Sequence, residues 1–190
     1  MEAVSLRRVT KGNLTRRPHW ALDRSKSLGF TQKHTDHVYA NAVERLEPIT
    51  NLCEIGSDVG RSTAWLSEVA KTIDVYDKGE FWIELCKSQC YSHQKQYSEI
   101  RNVNWHETGD ISIIQVLETL PKHYDAIKLT THGVLDYVPL LVAKLKTQGC
   151  LILHEYGGQN LKQELVKMLQ MKYNFEIKRT DLDLFVAKHK

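Results

Sequence analysis

The chain has 190 residues, of which 42% are apolar and 26% charged, with a formal net charge of +3. That length suits one domain whose core can fold without disulfide or metal staples, and the apolar fraction excludes wholesale disorder. No run approaches the roughly 18 consecutive apolar residues of a membrane span, and the start of the chain lacks the apolar stretch of a signal peptide. Cys53, Cys86, Cys90 and Cys150 are too scattered for a disulfide framework, so a reducing, cytoplasmic setting without membrane association is expected.

The charge is unevenly spread. Residues 1–26 hold seven basic side chains against two acidic ones, a balance of +5 that leaves −2 for the rest. This separates a basic arm, residues 1–28, from a body, residues 29–190. A solvated terminus explains such an arm, and so does contact with a phosphate-bearing partner or a cover over a pocket. Arg16-Arg-Pro-His-Trp20 interleaves basic and aromatic residues, a composition that can stack on bases and neutralise phosphates. A nucleic-acid partner therefore stays open beside a lid.

Past the arm, Val38, Tyr39, Ala42, Val43 and Leu46 recur at helical spacing until Pro48 ends the run. Strands are then expected at Asn51–Ile55, Thr72–Tyr76, Val103–Glu107, Tyr124–Leu129, Cys150–His154, Phe175–Arg179 and Leu184–Lys188. Helices are expected between them near 62–70, 80–97, 111–120, 135–146 and 160–172. Strands separated by single helices build a parallel sheet with helices on both faces. The last two are too close in sequence for a parallel crossover and must form an antiparallel hairpin. The expected fold is α/β, doubly wound, with a mostly parallel seven-stranded sheet.

Chemistry concentrates at the first strand and its turn, Asn51-Leu-Cys-Glu-Ile-Gly56-Ser-Asp-Val-Gly60-Arg-Ser-Thr-Ala-Trp65. Open α/β sheets bind ligands at the carboxyl ends of their strands, where Gly56 and Gly60 let the backbone approach and Glu54 places a carboxylate. The spacing disfavours a dinucleotide, which wants glycines at relative positions 0, 2 and 5. Ser57 and Asp58 also put side chains where a pyrophosphate needs bare backbone. The second strand runs into Asp77, placed to accept from two ribose hydroxyls or simply to shape a turn. After the third strand, in Glu107-Thr-Gly109-Asp110-Ile111, Asp110 suits the N-cap of the next helix or an exocyclic amine.

In this order and spacing the residues resemble the class I S-adenosylmethionine-dependent methyltransferases, most of all the small O-methyltransferase branch. The matching pieces are Glu54-Ile-Gly56-x-x-x-Gly60-Arg-Ser-Thr63, the acid in Val-Tyr-Asp77, Gly109-Asp110, Tyr124-Asp125-Ala-Ile, and Lys146-Thr-Gln-Gly149-Cys-Leu-Ile-Leu-His154-Glu155-Tyr156. The resemblance spans about residues 30–190 and implies a Rossmann-like domain with S-adenosylmethionine as cofactor. It implies that Glu54, Gly56 and Gly60 line the methionine end, with Ser57 and Thr130 also among the cofactor-binding residues. Asp77 would hold the ribose, and Gly109 and Asp110 would face the adenine, with Trp105 or His106 near the ring.

In the metal-dependent members an acid ends the fourth strand and binds a divalent cation. Thr130 stands there in this chain, and Glu155 alone is a thin ligand set for a hard cation, which makes a divalent metal doubtful. Cys86, Cys90 and His93 share a helical face, but Trp82 and Tyr97 extend the same stripe, which reads as core packing rather than a metal site. His132, in the loop after the fourth strand, is the candidate general base, since imidazole titrates near neutrality. Lys128 lies inside a buried strand, which is costly unless it is paired or reaches the mouth; orienting substrate and pairing with Glu155 are the two roles open to it. The expected activity is methyl transfer to a hydroxyl of a small or sugar-like acceptor, with homo-oligomerisation left open. A degenerate methyltransferase-fold scaffold and a nucleic-acid methyltransferase recruited by the arm are the alternatives.

Overall fold

β-branched and aliphatic residues dominate the central strands, and the seven strands assemble into one sheet whose centre is buried on both faces. The computed structural model of the chain describes residue 46 and residues 48–57, 61–67, 69–78, 102–121, 123–155, 159–181 and 184–190. The arm, the expected helices around Tyr39 and over 80–97, and the Cys86, Cys90, His93 stripe lie outside the described residues. In chain order the elements are β1 (Ile49–Ile55), α1 (Arg61–Leu66), β2 (Ala70–Asp77), β3 (Val103–Glu107) and α2 (Ile113–Thr119). There follow β4 (Tyr124–Thr131), a 3-10 turn (Val134–Tyr137), α3 (Val138–Lys144), β5 (Leu145–Glu155), α4 (Gln159–Met171), β6 (Phe175–Asp181) and β7 (Leu184–His189).

The sheet order is β3-β2-β1-β4-β5-β7-β6. β1 to β5 pair in parallel, and β7 runs antiparallel between β5 and β6. The closing hairpin is therefore as expected. The chain winds outward through β2 and β3, then returns to the other side of β1 with β4, so a topological switch point lies between β1 and β4.

Side chains alternate between two apolar layers. Cys53, Ile55, Ile127, Leu129, Leu151 and Leu153 face α2, α3 and α4, meeting Leu117, Leu141 and Leu165. Leu52, Ile73, Val75, Ala126 and Ile152 face the α1 side, with Leu66 and Val69. Burying each such side chain contributes roughly 1.5–3 kcal/mol relative to exposure, and these layers fix which way every strand points. Cys53 and Cys150 are free thiols, and burial pushes the Cys150 thiol up to about 12.

Three boundaries differ from expectation. The helix expected over 62–70 ends at Leu66, because Ala70 already pairs with Ile49 as a strand residue. β5 starts at Leu145 rather than Cys150, because Leu145 pairs with Tyr124 ahead of a register shift in the ladder. The expected helix over 135–146 is divided into the 3-10 turn and α3, with Pro139 in the first turn of α3.

One polar cluster is built into the layers. Asp74 is buried, accepting from the Tyr124 hydroxyl at 3.0 Å and from Asn104 Nδ2 at 2.8 Å. Tyr124 thus reaches across β1 to fasten β4 to β2, and burial holds its phenol well above the ordinary range, in the donor form. His106 stacks on Tyr76 with ring centroids 4.5 Å apart, its Nε2 3.7 Å from Asp74. Replacing Tyr124 by Phe removes one bond to a buried carboxylate. The expected loss is about 1.5–3 kcal/mol in a denaturant titration, with the m-value unchanged.

Candidate functional site

The carboxyl ends of β1, β2 and β4 converge on the turn after β1. Gly56 has a φ of +76°, and its N–H donates to Tyr76 O at 3.0 Å. A Cβ at this position would lie 3.0 Å from Thr130 O, so only glycine lets the turn close against β4. Ser57, buried, follows at once. Its N–H and its hydroxyl both donate to Asp77 Oδ2, at 2.9 and 2.7 Å, which ties the turn to the end of β2. Asp77 Oδ1 accepts from Lys78 N–H at 2.7 Å. A carboxylate offers about four acceptor sites, so Asp77 keeps capacity for a further donor, and rotation of the Ser57 hydroxyl would release another.

Beneath the turn lies a buried ionic network. Glu54 and Lys128 are register partners on adjacent strands, with side chains 0% and 1% exposed. Lys128 Nζ donates to Glu54 Oε1 at 2.9 Å, to Gly56 O at 2.6 Å and to Ser62 Oγ at 3.0 Å. Two hydroxyls from α1 complete the shell: Ser62 donates to Glu54 Oε1, and Thr63 to Glu54 Oε2 at 2.6 Å. A charge withdrawn from water needs this density of partners, since an unpaired buried ion costs several kcal/mol.

This arrangement corrects the expected role of Lys128. It pairs with Glu54 and is enclosed under the turn rather than exposed at the mouth. Glu54 likewise has both oxygens engaged inside the protein, so it supports the turn from below. The sequence signals Ser62 and Thr63 only as a pair of hydroxyls at the opening of the first helix.

The remaining candidates sit as follows. Thr130 and Thr131 end β4, opposite His154 and Glu155 on β5. Thr130 Oγ1 is buried with no hydrogen-bond partner among the described residues, next to Gly56. His132 is exposed on the bend that follows. Gly109 (φ +58°) and Asp110 form the turn after β3, which Thr108 fastens by donating its N–H to Asp77 O at 2.9 Å. Asp110 is not the N-cap of α2. Ser112 is, through a reciprocal box in which its hydroxyl accepts from Gln115 N–H and Gln115 Oε1 accepts from Ser112 N–H. Trp105 packs into the α1-side layer, and His106 lies over Tyr76. Asp58 and Gly60 lie outside the described residues. Among the described residues no three His, Cys, Asp or Glu side chains are grouped as a metal would need, and no helix is long and apolar enough to cross a membrane.

No protein-family model and no curated protein matches the chain. Solved structures do. A candidate O-methyltransferase from Klebsiella pneumoniae aligns over 89% of this chain and 87% of its own, at a TM-score of 0.66 and 14% identity. An rRNA methylase from Streptococcus thermophilus aligns over 85% and 98%, at 0.58 and 13%. SMU.1697c of Streptococcus mutans, a candidate methyltransferase solved with S-adenosylhomocysteine, aligns over 85% and 100%, at 0.57 and 14%. The likeness at such identities is one of fold, and the chain has the class I, Rossmann-like methyltransferase fold.

Thr63→Val keeps the shape of a fully buried residue and deletes its bond to Glu54. A hydrogen bond to a charged group contributes about 1.5–3 kcal/mol, so a loss of that size is expected in chemical denaturation, against under 1 kcal/mol for Thr63→Ser.

Proposed function

We propose that the chain is an S-adenosylmethionine-dependent methyltransferase acting on a hydroxyl of a small or sugar-like acceptor. The observation that carries the reading is the β1 turn at the switch point, closed by Gly56 against Thr130 and tied by Ser57 to Asp77. The fold supports it, since its solved neighbours are methyltransferases with varied acceptors.

The residues present fit the cofactor. The buried Thr130 hydroxyl beside Gly56, without a hydrogen-bond partner among the described residues, offers a polar contact where a ligand's amino-acid end would lie. Asp77 retains acceptor capacity for ribose hydroxyls, and Gly109 and Asp110 stand at the neighbouring strand end for the adenine. Held there, S-adenosylmethionine would supply an electrophilic methyl group for transfer to the acceptor oxygen. His132, exposed on the same edge, takes the acceptor's proton, a contribution of about 10²–10⁴-fold. Holding the acceptor in line supplies the larger part of the rate. Glu155, at the end of β5, belongs to the same edge. Lys128 acts by positioning, because its ammonium is enclosed by Glu54, Gly56 and Ser62.

Calorimetric titration with S-adenosylhomocysteine tests the reading. Binding of micromolar order is expected, weakened about a hundredfold in Asp77→Ala by loss of two bonds to a charged acceptor. No heat at millimolar ligand contradicts the reading.

A further inference from the structure

The Glu54–Lys128 pair does more than hold the turn. Its two side chains lie next to each other on β1 and β4 and are closed off from solvent, so the pair carries no net charge whichever partner holds the proton. Remove either charge and a full unit remains directly under Gly56, where solvent screens it poorly.

That matters because the two forms of the cofactor differ by one charge. S-adenosylmethionine carries a sulfonium; its product, S-adenosylhomocysteine, carries a neutral thioether in its place. A lone Glu54 would attract the sulfonium form and favour release of the thioether. A Glu54 matched by Lys128 does neither. We propose that Lys128 sets the preference of this site between the sulfonium and thioether ligands, by cancelling the bias that Glu54 would otherwise impose. This deepens the methyltransferase reading and rests on it.

The test is the ratio of the two dissociation constants, measured by calorimetry on the full chain, with circular dichroism confirming that each variant folds. Lys128→Met leaves Glu54 unmatched and is expected to move the ratio about tenfold toward S-adenosylmethionine. Glu54→Gln leaves Lys128 unmatched and is expected to move it by a similar factor toward S-adenosylhomocysteine. Lys128→Arg and the double variant Glu54→Gln/Lys128→Met preserve the charge balance, so their ratio stays within about twofold of wild type even where both affinities fall. A merely structural role would weaken both ligands alike and leave every ratio unmoved, and that result overturns the proposal. So does a shift of the same sign in both single variants. If Lys128→Met does not fold, Glu54→Gln decides alone: movement toward S-adenosylhomocysteine supports the proposal, and an unchanged or opposite ratio overturns it. Failure of the wild type to bind either ligand overturns the methyltransferase reading itself, an outcome distinct from binding with unmoved ratios.

Discussion

A single ion pair, Lys128 with Glu54, joins the two strands on either side of the switch point, and the candidate site is built on top of it. Parallel strands put the two residues opposite each other, and the alternation of side chains points both toward α1. Each charge lowers the cost of burying the other. Once paired, the ammonium still has donors to satisfy, and it spends them on Gly56 O and Ser62 Oγ. The glycine turn is therefore anchored by the same interaction that makes the burial tolerable. The α1 hydroxyls are drawn in for the same reason, which fixes where the helix starts relative to the strand.

From that floor the rest of the site is a sequence of short links. Gly56 closes against Thr130 on one side and donates to Tyr76 on the other. Ser57 passes the constraint to Asp77, and Asp77 O accepts from Thr108, which sets the turn carrying Gly109 and Asp110. Three strand ends are thus held in register by hydrogen bonds between neighbours. Deeper in the sheet, Asp74 and Tyr124 fasten β2 to β4 across β1. A ligand at this edge meets a prearranged wall, which is how such folds lower the entropic cost of binding.

The sheet was legible because apolar runs of strand length alternate with helical stretches, and the short gap before Leu184 leaves a hairpin as the only solution. The turn after β1 was legible through its glycines. What failed was partnership. Lys128 was visible as a buried charge in need of an acid, but the acid is 74 residues away in sequence and is chosen by strand register, which no local pattern encodes. Near neighbours competed in the same way at α2, where Asp110 and Ser112 could each cap; only Ser112 has Gln115 placed to reciprocate. At β5, Lys146-Thr-Gln-Gly149 has the composition of a turn, and it bulges out of the ladder between the paired positions Leu145 and Cys150, with Gln148 at a φ of +64°; the strand nevertheless starts early because Leu145 already pairs with Tyr124.

The central claim is that the buried pair holds β1, β4 and the turn together as one unit. A double-mutant cycle on Glu54 and Lys128, read out by equilibrium denaturation, measures this directly. The single replacements Glu54→Met and Lys128→Met are each expected to cost about 3–5 kcal/mol, and the double replacement far less than their sum, giving a coupling of at least about 2 kcal/mol. Additive losses, with a coupling near zero, would contradict the account.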